Sequence, residues 1–485
     1  MKYLRSLLPE FALTAAAVFF FYRELGTFPR SWVDEGLFIM VAKMVAGGHG
    51  YGIPLLDHVW RYPYFLAVGP TIILPAALSI KLFGLSVAAA RLPMTLYLLA
   101  TCVVTYVFTQ RAANTSTARW ATALLISLSA FVNTGKPVLG EVPAFFFLLI
   151  GFFLMTMEAK PWKRGMGSGI FFGLSILTKL TYGLILPALG IAWISAAIRR
   201  QWQEVWSLTL SACVALIIYL PWRVLEALHT PAGSLTQEIG KSIFGTGGLP
   251  LLNVLRNNNG ILLQLPFLAF SAITILGLLG LWSAHTRLTL EIKTTITTVA
   301  GLFLLYFLDS FGWYRHLLPA HLLLIPFVPA GISRLLSMPP LSPPKRGEGG
   351  ASRAGRGWRR SAVPATLTII IAAQALWQLD HRGSGVGTAL AETVQMVEER
   401  YRDTDLLIEN AEVLAQLPEN PHWVYLIPAD ISPSMPALFL TPSKTERCFA
   451  RLKAISGEER QQYGKRATIL AGNYALLAPP SDCAK

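Results

Sequence analysis

Two adjacent acidic residues, Asp34 and Glu35, follow an apolar segment that ends near Tyr22. Carboxylates beside a membrane are costly to keep unpaired, so such a pair indicates a functional site. The alternative is structural, because acids at the start of a helix complement the helix dipole. The residues after the pair predict an amphipathic helix in the membrane interface, with the carboxylates toward water and an apolar stripe at Leu37, Val41, Met44 and Val45.

Basic side chains form a second group of candidates for chemistry. The topology derived below places six of them in outer loops, namely Lys136, Lys179, Arg223, Lys241, Arg256 and Arg315. Short outer loops normally carry few basic residues, so these exceptions suggest an anionic partner at the outer interface. A lipid-linked phosphate fits, because arginine holds phosphate through forked hydrogen bonds and lysine acts as a point charge. The alternative partners are ordinary anionic headgroups or the nearby acids Glu226, Glu238 and Asp309.

Composition determines the class of protein in which these groups work. Hydrophobic residues make up 53% of the 485-residue chain and charged residues 14%, which indicates a polytopic membrane protein. The formal charge of +14 would suggest nucleic acid in a soluble protein, but here it serves to orient loops, so no nucleic-acid partner is predicted. The four cysteines lack metal-ligand spacing. No cofactor is predicted, and a divalent metal remains an open alternative. Cys448 and Cys483 could pair outside the cytoplasm.

The apolar stretch from Tyr64 to Gly84 decides the topology, because every later loop would change sides if it crossed the membrane. Treating it as a re-entrant or interfacial segment keeps the basic loops at residues 111–119, 160–164 and 199–200 on the side of the N-terminus. The first outer loop then covers residues 23–91. Two short spans are predicted between Gly165 and Ile198, because one long helix would expose the most basic loop of the chain.

The sequence therefore predicts an all-α polytopic membrane protein with about eleven transmembrane helices and a small C-terminal extracytoplasmic α/β domain. The membrane domain covers residues 1–379 and the C-terminal domain residues 380–485. A retained first helix precedes further spans at Leu92 to Thr109, Thr122 to Asn133, Pro143 to Met157, Val205 to Leu220, Ile261 to Trp282, Ile292 to Leu308, Leu317 to Leu336 and Val363 to Leu379. Residues 337–361 are rich in proline, glycine and arginine, which predicts a disordered cytoplasmic linker.

Several motifs in this order resemble one enzyme family. They are VDEG at 33–36, RYPYF at 61–65, ARLP at 90–93, GEVPAFFF at 140–147, LTKLTYG at 177–183, YLPWR at 219–223 and WYRHLLPAH at 313–321. Together they resemble polyprenyl-phosphate-sugar-dependent glycosyltransferases of the GT-C fold, in particular bacterial homologues of dolichyl-phosphate-mannose protein mannosyltransferases and aminoarabinose transferases. The resemblance covers roughly residues 1–336. It is based on the order of the motifs and on their predicted location on the same side of the membrane.

The resemblance implies roles for individual residues. It makes Asp34 a general base or acceptor-orienting carboxylate with Glu35 beside it, and Glu141 a second outer acid. Cations for the departing phosphate fall at Lys179, Arg223, Arg256 and Arg315, with Tyr314 and His316 next to the last. Candidate substrate-binding residues are His58, Arg61 and Tyr62, although RYPYF departs from the His-Pro-Pro or Pro-Pro of many relatives. For His316 an interfacial or packing role is the alternative.

The predicted function is transfer of a sugar from a polyprenyl phosphate to a lipid, glycan or protein acceptor on the outer face of a bacterial inner membrane, with inversion at the anomeric carbon. The N-terminus is predicted to be cytoplasmic and the C-terminal domain extracytoplasmic. A transporter or flippase of lipid-linked sugars is an alternative, but its charges should lie deep in the spans, whereas these cluster at one face. A non-catalytic assembly subunit is a further alternative, which Asp34 and Glu35 oppose.

Overall fold

The computed structural model describes residues 2–56, 58–229, 265–283, 286–309, 313–337, 351–380, 386–426, 448–463 and 467–479. These residues form a mainly helical body followed by a smaller mixed layer of strands and helices. Six of the described helical stretches are long and apolar enough to cross a membrane, namely Val87–Ala112, Leu180–Ile198, Trp202–Leu228, Leu290–Leu308, Tyr314–Ser337 and Ala362–Leu379. The chain is thus a multi-pass membrane protein.

The helices of the first half follow the predicted apolar segments. In chain order they are α1 Lys2–Tyr22, α2 Val33–Ala46, α3 Pro70–Phe83, α4 Val87–Ala112, α5 Thr115–Ser127, α6 Ser129–Gly135, α7 Glu141–Met155, α8 Pro161–Thr178, α9 Ile185–Ile198 and α10 Trp202–Leu228. The span expected at Thr122 to Asn133 is broken at Leu128, which has extended backbone angles between α5 and α6. The region from Gly165 to Ile198 is divided between two helices, α8 and α9, which are joined by the 3-10 turn Leu180–Leu184, and the two spans expected there stay a prediction.

Helix α8 packs closely on α10 through a stripe of glycines. A Cβ added at Gly165, Gly169 or Gly173 would lie 2.6 to 2.8 Å from a backbone oxygen of α10, contributed by Ser207, Ser211 and Ala215. Small residues spaced four apart allow two membrane helices to approach this closely. Helix α8 ends at Thr178, and the chain leaves it at Lys179.

The later helices are Leu265–Leu281, Leu290–Asp309, Tyr314–Leu324, Val328–Ser337 and Ala351–Asp380, with a 3-10 turn at Ile325–Phe327. Helix Ala351–Asp380 corrects one prediction, since residues 351–361 of the expected disordered linker are helical. Arginine and alanine are good helix formers, and a helix already needed for the following span can extend through them. Residues 338–350 of that linker lie outside the described residues.

The first loop was expected to cover residues 23–91, but it ends at residue 86 because α4 begins at Val87, and it contains two helices and a hairpin. Strands β1 Gly52–Leu55 and β2 His58–Arg61 pair antiparallel, and the 3-10 turn Tyr64–Leu66 leads into α3. Helix α3 has 14 residues, about 21 Å at 1.5 Å per residue, which is shorter than the hydrocarbon core. Its exposed residues are the apolar Leu74, Leu78, Leu82 and Phe83, together with Lys81 in the last turn. Helix α7, an expected span, is only one residue longer, so the interfacial assignment of α3 and the sidedness of the loop stay predictions.

The C-terminal layer, defined here as the described residues 386–479, contains a five-stranded sheet. Helix Val386–Arg400 precedes strands β3 Leu406–Ile408, β4 Trp423–Tyr425, β5 Ala450–Ala454, β6 Ala467–Ala471 and β7 Tyr474–Leu477, with short helices at Ala411–Leu414 and Gly457–Tyr463. The strand order is β4-β3-β5-β7-β6, parallel on both sides of β3 and antiparallel beyond β5. The small α/β region is therefore present, and its boundary at residue 380 stays a prediction.

The C-terminal layer shares a hydrophobic core with the first loop. Buried residues of α2, β1 and α3 form one cluster with the buried residues of β3, β4, β5 and β7. Two hydrogen bonds also connect the first loop with this layer. The backbone N–H of Leu56 donates to the Tyr425 carbonyl at 2.9 Å, and Lys43 Nζ donates to the Leu417 carbonyl at 2.7 Å. Helix α2 therefore lies between the mainly helical part of the chain, which we call the membrane body, and the C-terminal layer.

Candidate functional site

Four charged side chains from four separate elements meet in what we call the charged cluster, namely Asp34, Glu141, Lys179 and Arg315. Arg315 Nη1 donates to Asp34 Oδ2 at 2.7 Å, and Lys179 Nζ donates to Glu141 Oε1 at 2.5 Å. Arg315 Nε lies 3.9 Å from the same Glu141 oxygen. The structure thus brings together two predicted acids and two predicted phosphate-binding cations that are separated by up to 281 positions in the sequence.

Arg315 is held between two tryptophan rings. Its guanidinium carbon lies 4.4 Å from the ring centroid of Trp32 and 4.4 Å from that of Trp313. Cations placed over aromatic faces are stabilised by the ring quadrupole, and a planar guanidinium also stacks there. The two rings therefore fix the plane of the guanidinium while leaving its edge available for hydrogen bonds.

Two atoms of the charged cluster have no hydrogen-bond partner among the described residues. They are Arg315 Nε and Glu141 Oε2, and both are buried. An unpaired buried donor or acceptor costs free energy, and in native proteins such atoms are often completed by water, an ion or a ligand. The Nε of Arg315 is a donor aimed at this cluster, which suits an anionic ligand.

Lys179 is positioned by the break at the end of α8. Its backbone is extended (φ −150°, ψ 121°) and forms an antiparallel bridge with Val68 of the first loop. The backbone N–H of Gly69 donates to the Thr178 carbonyl at 3.2 Å, and a Cβ at Gly69 would lie 1.9 Å from the Leu177 oxygen. Only glycine fits there, so the first loop fixes the turn that carries Lys179.

Glu141 is the first residue of α7, where a carboxylate complements the helix dipole. Tyr182 Oη donates to the Glu141 carbonyl at 2.6 Å and so joins α7 to the turn after Lys179. The Glu141 side chain is 2% exposed, against 28% for Asp34. Of these two acids, Asp34 is therefore the one that a second molecule can reach.

Glu35 does not join its neighbour in the charged cluster. Its side chain and that of Arg91 are both 0% exposed, and Arg91 Nη2 donates to Glu35 Oε2 at 2.6 Å. The backbone N–H of Val138 also donates to Glu35, at 3.0 Å. A carboxylate that is fully buried against its own arginine cannot contact a substrate. Its predicted place beside Asp34 in catalysis is corrected to a structural contact that ties α2 to α4.

Tyr314 and His316, the two predicted site residues that flank Arg315, make most of their contacts outside the charged cluster. Tyr314 Oη is hydrogen-bonded to His321 Nδ1 at 2.5 Å, so its hydroxyl is directed along its own helix rather than at the cluster. The His316 ring packs against Tyr306 and Trp313, with centroid distances of 5.1 and 5.9 Å. His316 also lies within electrostatic range of Lys179 and Arg315.

Arg223, another predicted phosphate-binding residue, is engaged elsewhere. Its guanidinium forms an ion pair with Glu226 one turn later on α10, and Trp222 Nε1 donates to the same carboxylate at 2.9 Å. Glu226 is one of the nearby acids that the sequence analysis gives as alternative partners. Arg256 lies outside the described residues.

The predicted substrate-binding trio is divided between two surfaces. Tyr62 stacks on Tyr51 at 5.8 Å, and Tyr51 Oη donates to the carbonyl of Val68, the residue bridged to Lys179. Arg61 is exposed and donates to the His49 carbonyl at 3.1 Å, away from that stack. His58, in β2, faces Leu55 across the hairpin. Tyr62 is therefore connected to Lys179 through Tyr51 and Val68.

Two contributors to this site had no role in the sequence-based prediction. Arg91 lies in the ARLP motif and holds Glu35, and Trp32 precedes the acidic pair and covers Arg315. The ARLP motif could have identified Arg91. Trp32 gave no such signal, because a tryptophan beside a membrane normally belongs to the aromatic belt at the interface. Within the described part of the chain, no group of three His, Cys, Asp or Glu side chains could hold a metal ion. Cys448 is disulfide-bonded, and Cys483 lies outside the described residues.

Three comparisons relate this chain to known proteins. The family model described as dolichyl-phosphate-mannose-protein mannosyltransferase matches residues 68–224. No curated protein sequence matches significantly. The crystal structure of ArnT from Cupriavidus metallidurans bound to undecaprenyl phosphate has a TM-score of 0.67 at 14% identity over 98% of both chains, and its apo state has 0.65 at 16% over the same shares. The apo oligosaccharyltransferase of Archaeoglobus fulgidus gives 0.53 at 13%, over 87% of this chain and 61% of that one.

At such low sequence identities these structural similarities show the fold. The predicted GT-C-like fold is confirmed, because the likeness to ArnT extends over 98% of the chain, including the C-terminal layer. The predicted resemblance to polyprenyl-phosphate-sugar-dependent enzymes is confirmed by the family match, whose residues 68–224 include Glu141 and Lys179.

Proposed function

We propose that this chain is a glycosyltransferase that moves a sugar from a polyprenyl-phosphate donor to an acceptor hydroxyl or amine at the membrane surface. The single observation that supports it best is the charged cluster. One accessible carboxylate, Asp34, lies 2.7 Å from an arginine held between two rings, and a lysine and a buried acid complete the group. The family match and the bound undecaprenyl phosphate of the similar ArnT structure supply the donor class.

The reaction that this cluster suits needs a base and a stabilised leaving group. Asp34 takes the proton of the acceptor, and the acceptor atom forms a bond to the anomeric carbon from the side opposite the phosphate. The bond from that carbon to the phosphate oxygen breaks, and its electron pair leaves with the polyprenyl phosphate. One displacement of this kind inverts the anomeric centre. Arg315 and Lys179 stabilise the charge that develops on the departing phosphate.

Burial separates the tasks of the two acids in this scheme. Asp34 is accessible and can approach an acceptor, whereas Glu141 is 2% exposed and contacts Lys179 and Arg315. We assign Glu141 to holding the two cations together, since like charges that close would otherwise repel. Tyr62 and His316 are proposed as contacts at the edge of the donor site, and Glu35 as a positioning residue.

The proposed setting is a bacterial inner membrane with the N-terminus cytoplasmic and the charged cluster and C-terminal layer outside. The distribution of basic loops supports this orientation. The acceptor is a lipid, a glycan or a protein, and the scheme requires no cofactor. Nucleic acid has no part in it.

Incubation of the purified protein with labelled polyprenyl-phosphate sugars tests the proposal. The wild-type protein should release polyprenyl phosphate in the presence of an acceptor preparation from the membrane. Asp34→Asn keeps the size of the side chain and removes the base, so turnover should fall by about 10²-fold or more while donor binding is retained. Asp405→Asn, at an exposed acid of the C-terminal layer, is the matched control and should have wild-type turnover.

Two results would contradict the proposal. The first is a wild-type protein that moves labelled donor across reconstituted vesicles without consuming it, which would identify a transporter. The second is an Asp34→Asn protein with unchanged turnover, which would remove Asp34 from the mechanism.

A further inference from the structure

Three consecutive residues of α2 contact three different parts of the molecule. Asp34 contacts Arg315 in the charged cluster, Glu35 contacts Arg91 in the membrane body, and Gly36 contacts the C-terminal layer. We propose that Gly36 is a positioning residue through which the C-terminal layer sets the place of Asp34 and thereby the rate of transfer. This inference rests on the proposed function and extends it to the role of the C-terminal layer.

The contact at Gly36 is made with backbone. A Cβ added there would lie 2.4 Å from the Glu412 nitrogen, 2.5 Å from the Ala411 carbonyl carbon and 2.6 Å from the Glu412 Cα. No side-chain rotation relieves an overlap with main-chain atoms. Ordinary contact begins near 3.4 Å, so α2 or the turn at Ala411 would have to move by about 1 Å.

A hydrogen-bonded chain holds the same turn against the segment that enters α2. Arg30 Nη2 donates to Tyr474 Oη at 2.7 Å, and Tyr474 Oη donates to Glu412 Oε1 at 3.1 Å. Asn410 Nδ2 donates to the same carboxylate oxygen, also at 3.1 Å. Arg30 lies four residues before Asp34, so this chain fixes the approach to the first turn of α2 from the side of the C-terminal layer.

Helix α2 can transmit a displacement because it is packed on all sides. Its residues 35–42 are all buried, so a shift at Gly36 moves the helix as a body rather than being absorbed by a local change. Asp34 lies two residues away, and its bond to Arg315 is 2.7 Å long. A displacement of about 1 Å in a reacting group can reduce a rate by about 10²-fold.

Gly36→Ala tests the proposal, with Gly457→Ala as its matched control. Gly457 belongs to the C-terminal layer, and a Cβ there would meet nothing within 4 Å. Gly36→Ala should lower kcat by about tenfold to hundredfold with little change in the KM for the labelled polyprenyl-phosphate donor, whereas Gly457→Ala should match the wild-type protein.

A double-mutant cycle separates positioning from general damage. If Gly36→Ala acts through Asp34, it should have no further effect on the residual turnover of Asp34→Asn. If its effect in that background is as large as in the wild-type background, the positioning role is refuted. A wild-type kcat for Gly36→Ala also refutes it.

Tyr474→Phe provides a second variant that changes no packing volume. It removes the hydroxyl that joins Arg30 to Glu412, and should lower kcat several-fold, again without effect in the Asp34→Asn background. Tyr463→Phe is its control, since it keeps the ring that Lys453 contacts. Unchanged kcat for Tyr474→Phe counts against the proposal even if Gly36→Ala fails to fold. A wild-type protein that consumes no donor would instead refute the proposed function, so the two failures are distinguishable.

Discussion

Replacing Arg315 with lysine tests whether the charged cluster holds a phosphate. The substitution keeps the positive charge but removes the planar fork that lies 4.4 Å from each of two tryptophan rings. Without a donor bound, one guanidinium nitrogen, Nη1, donates a hydrogen bond to Asp34 at 2.7 Å, and Nε has no hydrogen-bond partner among the described residues. A lysine ammonium can replace one of these contacts at most.

The lost arm of the fork sets the expected magnitude. A hydrogen bond to a charged group contributes about 1.5 to 3 kcal/mol, which corresponds to roughly tenfold to hundredfold in donor affinity. Because the leaving phosphate gains charge during the reaction, kcat should fall as well as the affinity. Weaker stacking of an ammonium between Trp32 and Trp313 should add to both losses.

Donor binding and single-turnover transfer, measured on the same preparation, provide the assay. Arg334→Lys is the control, because Arg334 lies near the other end of the same helical stretch and donates to two backbone carbonyls. The reasoning fails if Arg315→Lys binds and transfers as well as the Arg334→Lys protein. That result would mean that Arg315 makes a simple charge contact and that the phosphate is held elsewhere.

Two further predictions concern stability and topology. Glu35→Gln leaves Arg91 buried without its counter-charge and should lower the free energy of unfolding by about 3 to 5 kcal/mol, as measured by the denaturation midpoint in detergent, whereas Glu158→Gln at a 97% exposed acid should not change it. The second variant set starts from a protein in which Cys102 and Cys213 are replaced. In intact cells a cysteine at Ser116 should resist a membrane-impermeant thiol reagent, whereas a cysteine at Glu458 should react with it. The reverse labelling would show that the proposed orientation is inverted.

The acids of the first loop show where sequence reasoning succeeds and where it fails. Asp34 was predicted as an accessible carboxylate, and the structure gives it a 28% exposed side chain in the charged cluster. The sequence and the resemblance group Glu35 with it because the two residues are adjacent. Neighbouring residues on a helix point about 100° apart and do not face the same partner, so adjacency on α2 indicates different surroundings rather than a shared site.

The basic residues show a second limit of the sequence. Arg223 and Arg315 are both arginines in predicted outer loops, and both have acidic residues available. Arg223 meets Glu226 three positions along its own helix, whereas Arg315 meets Asp34 from a segment 281 positions away. Local spacing could have indicated the first pair, because residues at i and i+3 lie on one helix face. The second depends on the tertiary packing, which loop topology does not specify.

The charged cluster contains equal numbers of acids and cations, and this balance explains how the site persists before a donor arrives. Lys179 and Arg315 approach the same Glu141 oxygen, at 2.5 and 3.9 Å, so one buried carboxylate offsets the repulsion between the two cations. A phosphate that enters beside them needs donors that are already oriented, and the two tryptophans and the bridge at Val68 supply that orientation. In the proposed reaction Asp34, which accepts a hydrogen bond from Arg315 Nη1 and is 28% exposed, acts on the acceptor rather than on the phosphate. We base the proposed division of roles, in which the buried acid holds the cations and the accessible acid meets the acceptor, on their exposures of 2% and 28%, because both side chains are carboxylates.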